Sequence, residues 1–545
     1  MKKFCVLAAV VLCCAGCVAV NAELGKSIIP DYLKYTSHFV SFDLDRIEAR
    51  MTDSLSGFSQ TRMCVGAVKD EEFGLSTRSC VLTLVPLTSD PIDFGDDPVC
   101  TKFHVSSVLD TISVIKPDQQ EILQSLYVTE MLENVSSKTF DCNMKLKHGT
   151  EKITLGTPVL TGIDSMSFDL KPAYGQKYID ALKADTTLYH DFTKYTKALP
   201  GMYLETDKPS VDGNGRINIY SLQLEFNSST YNITGNYAEL SFRTSFGERK
   251  DVDTSVLFYF CPTDMYDVDS LFSKGTSGSY PQYCLNLTGH EAKYGPRRDV
   301  SETETFRIEG GGGYKPVISA AAMREYMMKA LKDTLNAYGL SEADTSRAVI
   351  IKASVVLPFV FPEDYRDATK FPPRLSPTCR IHSSDTTISY MGLSDSSNSE
   401  ENQGDINRST CIYSPDISYH LQKLLEMSPS EVKDEYDLWM LFMANETTLQ
   451  TTSGDDEMSE YYQYLAYQNY YNSVYGGYGS SYGTDSYTNY YTYMMMAEYA
   501  GGQTYTSSDM KLDLFRYYNA ELCGPANKDA KRRPKFKITF AIPKK

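Results

Sequence analysis

Histidine and tryptophan are scarce in this chain, and one long stretch of it has no basic residue. Its seven histidines are His38, His104, His148, His190, His290, His382 and His420, and no two of them stand in an H-x-x-x-H arrangement. The one C-x-x-C, Cys14 to Cys17, falls among the first 22 residues, so neither zinc spacing has local support. Poly-aspartate tracts of the kind that bind calcium densely are also missing. Asp253, Asp264, Asp267 and Asp269 lie close together but do not fit the calcium loop of an EF-hand. Beyond the first 22 residues no apolar run approaches the 18 or so residues of a membrane helix. The net charge of -17 argues against nucleic acid as a partner. From these absences no catalytic, cofactor-binding or metal-ligating set is expected, and no membrane partner.

The first 22 residues read as a secretory signal. Lys2 and Lys3 precede an apolar run from Phe4 to Val20, and Val20-Asn21-Ala22 places compact residues where a signal peptidase reads. A membrane anchor is the alternative for this segment. A secreted, extracellular protein that starts near Glu23 is the expectation. Nine cysteines then remain: Cys64, Cys80, Cys100, Cys142, Cys261, Cys284, Cys379, Cys411 and Cys523. In an oxidising compartment most of them are expected to pair, with Cys261–Cys284 and Cys379–Cys411 as loop closures suggested by proximity. Six N-x-S/T acceptors, at Asn134, Asn227, Asn232, Asn286, Asn407 and Asn445, add the expectation of a glycoprotein.

What the chain has in excess is tyrosine. Fifteen fall within 45 positions: Tyr461, Tyr462, Tyr464, Tyr467, Tyr470, Tyr471, Tyr475, Tyr478, Tyr482, Tyr487, Tyr490, Tyr491, Tyr493, Tyr499 and Tyr505. Gly, Ser, Asn, Gln and Thr separate them, and no lysine or arginine occurs from Asp434 to Met510. Phenols need hydrogen-bond partners and glycine adds backbone entropy without burial, so a packed core is not built this way. Such a tract offers stacking, hydrogen bonding and, under oxidation, cross-linking. Its composition resembles the tyrosine- and glycine-rich stretches of extracellular matrices, eggshells, mollusc shells and coral skeletons, a likeness that names no family. The one G-x-S-x-G match, around Ser481, sits in this tract without the strand that a nucleophile elbow needs.

Patterning predicts an α+β, disulfide-containing, multidomain chain with a β-rich middle and a tyrosine-rich low-complexity segment. The segments are a signal peptide (1–22), a mixed domain (23–151), a β-rich domain (152–308) and a glycine linker (309–314). A mixed helix/strand domain (315–452), the tyrosine segment (453–508) and a C-terminal segment with a basic tail (509–545) follow. Helices are predicted from Pro117 through Leu132, from Ser319 to Tyr338, from Ser414-Pro415 through Leu425, and around Val432 to Phe442 with Trp439. Strands are predicted over 76–87, 217–226, 238–246, 256–260, 348–357 and 536–542. The basic tail (Lys528, Lys531, Arg532, Arg533, Lys535, Lys537, Lys544, Lys545) reads as a terminal edge strand or as a site for anionic polysaccharide.

Together these features point to a noncatalytic structural glycoprotein of an extracellular or biomineral-associated matrix, without cofactor. Its expected partners are other matrix proteins, anionic polysaccharide and further copies of itself. A secreted hydrolase with a non-local active site, or an extracellular glycan- or protein-binding module, is the alternative.

Overall fold

The computed structural model describes residues 35–543 except 53–54, 56–60, 111–119, 136–140, 228–231, 263–264, 266–277, 281, 338–346, 383–387, 396–402 and 452–503. Strand accounts for 48% and helix for 18%, in several antiparallel sheets, so the expected α+β class with disulfides is corrected to a β-rich one. No two of the nine cysteines lie at bonding distance, and eight of them are buried. The strands turn these thiols inward, where they pack as small apolar side chains. The pairs suggested by sequence proximity are separated by different surroundings. Cys379 faces His420, whereas the Cys411 thiol donates to the Arg408 carbonyl.

Two large cores organise the chain. The first takes its residues from Met63 to Cys284. One of its sheets runs Asn214–Ser221, Arg62–Asp70, Gly74–Leu82, Met202–Thr206, Gln124–Met131 and His148–Lys152, with Leu285–Ala292 added along Gly74–Leu82. A five-stranded sheet holds Met166–Leu170, Asp96–Ser107, Ala238–Phe246, Arg249–Phe260 and Leu84–Pro86. The helix Pro172–Ala184 packs on Asp96–Ser107, burying Tyr174, Tyr178, Ile179 and Leu182. Gly175 allows that close approach, since a Cβ there would stand 2.4 Å from the Cys100 sulfur.

The second core joins Leu44, Ile47, Ala49 and Phe73 to residues 300–542. The helix Ala320–Ala337 begins where Ser319 Oγ accepts the Ala322 N–H and Asp437 accepts that of Ala320. Its stripe Met323, Met327, Leu331 and Leu335 is buried, as the spacing predicts. A four-stranded sheet orders Tyr35–Asp43, Lys535–Pro543, Val349–Pro358 and Ile412–Tyr413. The tail strand thus lies inside this sheet rather than at its edge, with Phe536, Ile538, Phe540 and Ile542 buried. Part of its charge is answered locally: Asp43 faces both Arg533 at 3.3 Å and Lys535 at 3.5 Å.

Two predicted helices are strands. Gln124–Met131 pairs with Met202–Thr206, and Leu438–Thr451 pairs with Arg374–His382. The predicted helix near Pro415 forms at Ser418–Glu426.

Candidate functional site

The most unusual chemistry lies in a buried charged cluster that the glycine run makes room for. Arg78 projects from Gly74–Leu82 and is 1% exposed. Thr288 stands opposite it and His290 opposite Ser76 on the paired strand. Glu309 ends the strand Thr305–Glu309, and Lys315 follows four glycines in Tyr314–Ile318. The Glu309 Oε2 lies 2.5 Å from His290 Nε2, and the Glu309 carboxylate is fully buried.

Lys315 Nζ donates to the carbonyls of Glu309 (2.6 Å), Gly311 (3.0 Å) and Gly313 (2.9 Å), and lies over the Phe442 ring. Those three acceptors use all three ammonium hydrogens. Burial nevertheless pulls its pKa from 10.5 to about 7, with Glu309 opposing the shift.

The predicted glycine linker is itself buried: Gly310 to Gly313 are all inside. A Cβ on Gly311 would meet Arg78 Nη2 at 2.0 Å, and one on Gly313 would meet Glu309 Oε2 at 2.3 Å. On Gly310 it would reach Tyr518 N at 2.7 Å, and on Gly312 the Asn143 and Thr288 side-chain oxygens at 2.9 Å. Four bare backbones are what lets the turn close over the cluster.

A cavity of about 650 Å³ opens beside this cluster, with Arg78, Asn143, His148, Tyr203, Thr288 and His290 among its walls. Three buried polar atoms here have no hydrogen-bond partner among the described residues: Arg78 Nε, His290 Nδ1 and Glu309 Oε1. An imidazole held by a carboxylate is half of a hydrolytic arrangement, yet His290 has no serine or cysteine hydrogen-bonded to its ring among the described residues. A serine, a histidine and a carboxylate do line up in the five-stranded sheet, where Ser167 Oγ lies 3.4 Å from His104 Nε2 and His104 Nδ1 lies 2.7 Å from Asp169 Oδ1, with Ser167 exposed. Thr129 Oγ1 lies 2.9 Å from His148 Nδ1, and Cys379 lies 3.9 Å from His420. Burial raises that thiol to about 12 and lowers that imidazole to about 4, so near pH 7 both are neutral and the pair lacks thiolate character.

The residues singled out from the sequence are dispersed. Fourteen of the fifteen tyrosines, and Ser481, lie outside the described residues. Tyr505 falls in Thr504–Leu512, opposite Gln450. Of the acceptor asparagines, Asn407 and Asn445 are exposed and Asn134 is half-buried. Asn227 and Asn232 form the last pair of a hairpin. Asn286 is corrected from glycan acceptor to core residue. It is 7% exposed, its Nδ2 donates to the Arg62 carbonyl at 2.7 Å, and its Oδ1 accepts the Cys64 N–H at 3.0 Å. Asp253 is spent on Arg243 at 2.9 Å, and Asp264, Asp267 and Asp269 lie outside the described residues.

The Arg78–Glu309 cluster went unnoticed in the sequence. Its available signal was a glutamate, four glycines and a lysine in sequence, since consecutive glycines can mark a close approach as well as a linker. Compared with known proteins, the chain matches no family model, no curated protein and no solved structure.

Proposed function

We propose that this chain is a noncatalytic, secreted structural glycoprotein that presents its tyrosine tract for cohesion or oxidative cross-linking in an extracellular or biomineral-associated matrix. One observation supports this reading above others. Residues 452–503 are inserted between two strands, Leu438–Thr451 and Thr504–Leu512, that pair from Met443↔Leu512 out to Thr451↔Thr504. The residues that flank the tract, Thr451 and Thr504, therefore stand side by side, so a short turn suffices to join them.

Many of the body's own phenols are buried, although Tyr365 and Tyr419 are exposed. Tyr178, Tyr195, Tyr220, Tyr259, Tyr314, Tyr413 and Tyr518 are among its largest fully buried side chains. In the cross-link, two phenols each lose one hydrogen to hydrogen peroxide through a peroxidase. The rings join at ortho carbons and two waters leave.

The test compares the full chain with a variant in which 454–501 are replaced by a short Asn-Gly turn. With peroxidase and peroxide, the full chain is expected to form dityrosine and enter an insoluble fraction. The variant should stay soluble with an unchanged unfolding midpoint. A full chain that remains soluble with unmodified tyrosines refutes the proposal.

A further inference from the structure

We infer that the cavity beside Arg78 and His290 is a binding site for a neutral oligosaccharide of a few sugar units. The inference does not rest on the tyrosine tract. About 650 Å³ is a ligand-sized space.

Two deeply buried side chains on its wall carry unused polar atoms. Arg78 is 1% exposed with an unpartnered Nε, and the His290 side chain is 9% exposed with an unpartnered Nδ1. Glu309 Oε2 engages His290 Nε2, so Nδ1 is the ring nitrogen left for a ligand. The wall thus offers one guanidinium N–H and one ring nitrogen. Hydroxyl groups, each both donor and acceptor, answer that pair.

Around it the lining mixes donors and acceptors with flat surface. Thr288 Oγ donates to Asn143 Oδ1 at 2.6 Å, and the rings of His148 and Tyr203 stack 4.0 Å apart at 10°. Such a wall suits the C–H faces and hydroxyls of a sugar together.

Charge on the lining is mixed and does not concentrate on one sign. Glu205 and Glu291 line the cavity together with Lys145 and Lys208, and Lys208 is held by Glu291 at 3.2 Å. The terminal nitrogens of Arg78 are directed to Ser76 Oγ and the carbonyls of Thr77 and Gly310, so no free guanidinium fork faces outward.

The experiment titrates the full chain with chitobiose, cellotriose, laminaritriose and mannotriose, and with a heparin hexasaccharide as the acidic comparator. Calorimetry and saturation-transfer NMR read the binding. At least one neutral sugar is expected to bind. His148→Ala should weaken that sugar tenfold or more, and Met144→Trp, bulk added from an exposed lining residue, should abolish it without moving the unfolding midpoint. The variant lacking the tyrosine tract should bind as the full chain does. The inference is overturned if no neutral sugar binds, if heparin alone binds, or if Met144→Trp leaves binding intact.

Discussion

Replacing Gly311 by alanine tests whether the four-glycine turn is a packing device. Gly311 has φ +58° and a Cβ there would overlap Arg78, 2.0 Å from Nη2 and 2.6 Å from Cζ. Gly247 has the same φ, +58°, with nothing within 4 Å of its added Cβ. The two substitutions therefore share a backbone cost of about 1 kcal/mol and differ in the clash. Pushing Arg78 aside takes a guanidinium away from the Gly310 carbonyl in a site with almost no water access. A hydrogen bond to a charged group is worth about 1.5–3 kcal/mol. Gly247→Ala should thus lose about 1 kcal/mol and Gly311→Ala about 2.5–4 kcal/mol.

Urea unfolding followed by circular dichroism measures both. Trp439, the only tryptophan, pairs with Val317 just beyond the turn, so its fluorescence reports the core that Gly311 disturbs. Equal losses for the two variants, within about 0.5 kcal/mol, would refute the reasoning.

Lys315 should give stability a pH slope. Its native pKa of about 7 lies below the ordinary 10.5, so between these values the unfolded chain holds a proton that the native state has shed. Stability from this group therefore rises with pH across that window, by up to about 1.4 kcal/mol per unit. Lys315→Met should flatten the slope in urea titrations at pH 7 and 9, and should cost about 3 kcal/mol or more by leaving three buried carbonyls without their donor. An unchanged slope contradicts the assignment. Glycopeptide mapping of the secreted protein should find glycan on Asn407 or Asn445 and none on Asn286, whose amide is used inside the sheet. A glycan on Asn286 would mean that the strand Leu285–Ala292 is not placed as described. Iodoacetamide applied to the unreduced native chain should label Cys411 first and the eight buried thiols only after denaturation. Fewer than nine alkylated cysteines in the denatured, unreduced chain would restore the disulfide expectation.

The elements legible in the sequence were those with one buried face. Ala238–Phe246 alternates with Ala238, Leu240 and Phe242 inside, and Ala320–Ala337 carries a single apolar stripe. Periodicity failed where both faces are covered. In Leu438–Thr451, Leu438, Met440 and Phe442 enter the large core while Trp439 and Leu441 enter a small cluster with Val317. Five apolar residues in a row then carry no period to separate strand from helix. Gln124–Met131 has the same difficulty, with Val128 and Thr129 both buried on opposite faces. The helix Pro172–Ala184 was missed despite Pro172 at its first position and a Tyr174, Tyr178, Leu182 spacing of four, because strand patterns surround it.

The charged cluster shows a second limit. Arg78 and His290 come from one sheet, and Glu309 and Lys315 from strands that enter the other core. More than 200 residues separate Arg78 from its partners across the glycine turn. Residue spacing within any one segment carries nothing about such a meeting. Composition alone made the same glycines a linker, because flexibility and close approach demand the same residue. What separates the two readings is the neighbours. A linker needs none, whereas Gly311 and Gly313 each leave less room than one methyl group against Arg78 and Glu309. By the same logic the tyrosine tract reads differently. Its flanks Thr451 and Thr504 stand opposite each other at the end of a nine-pair ladder. The tract between them lies outside the described residues, so its reading as a cohesive segment is carried by composition and not by neighbours.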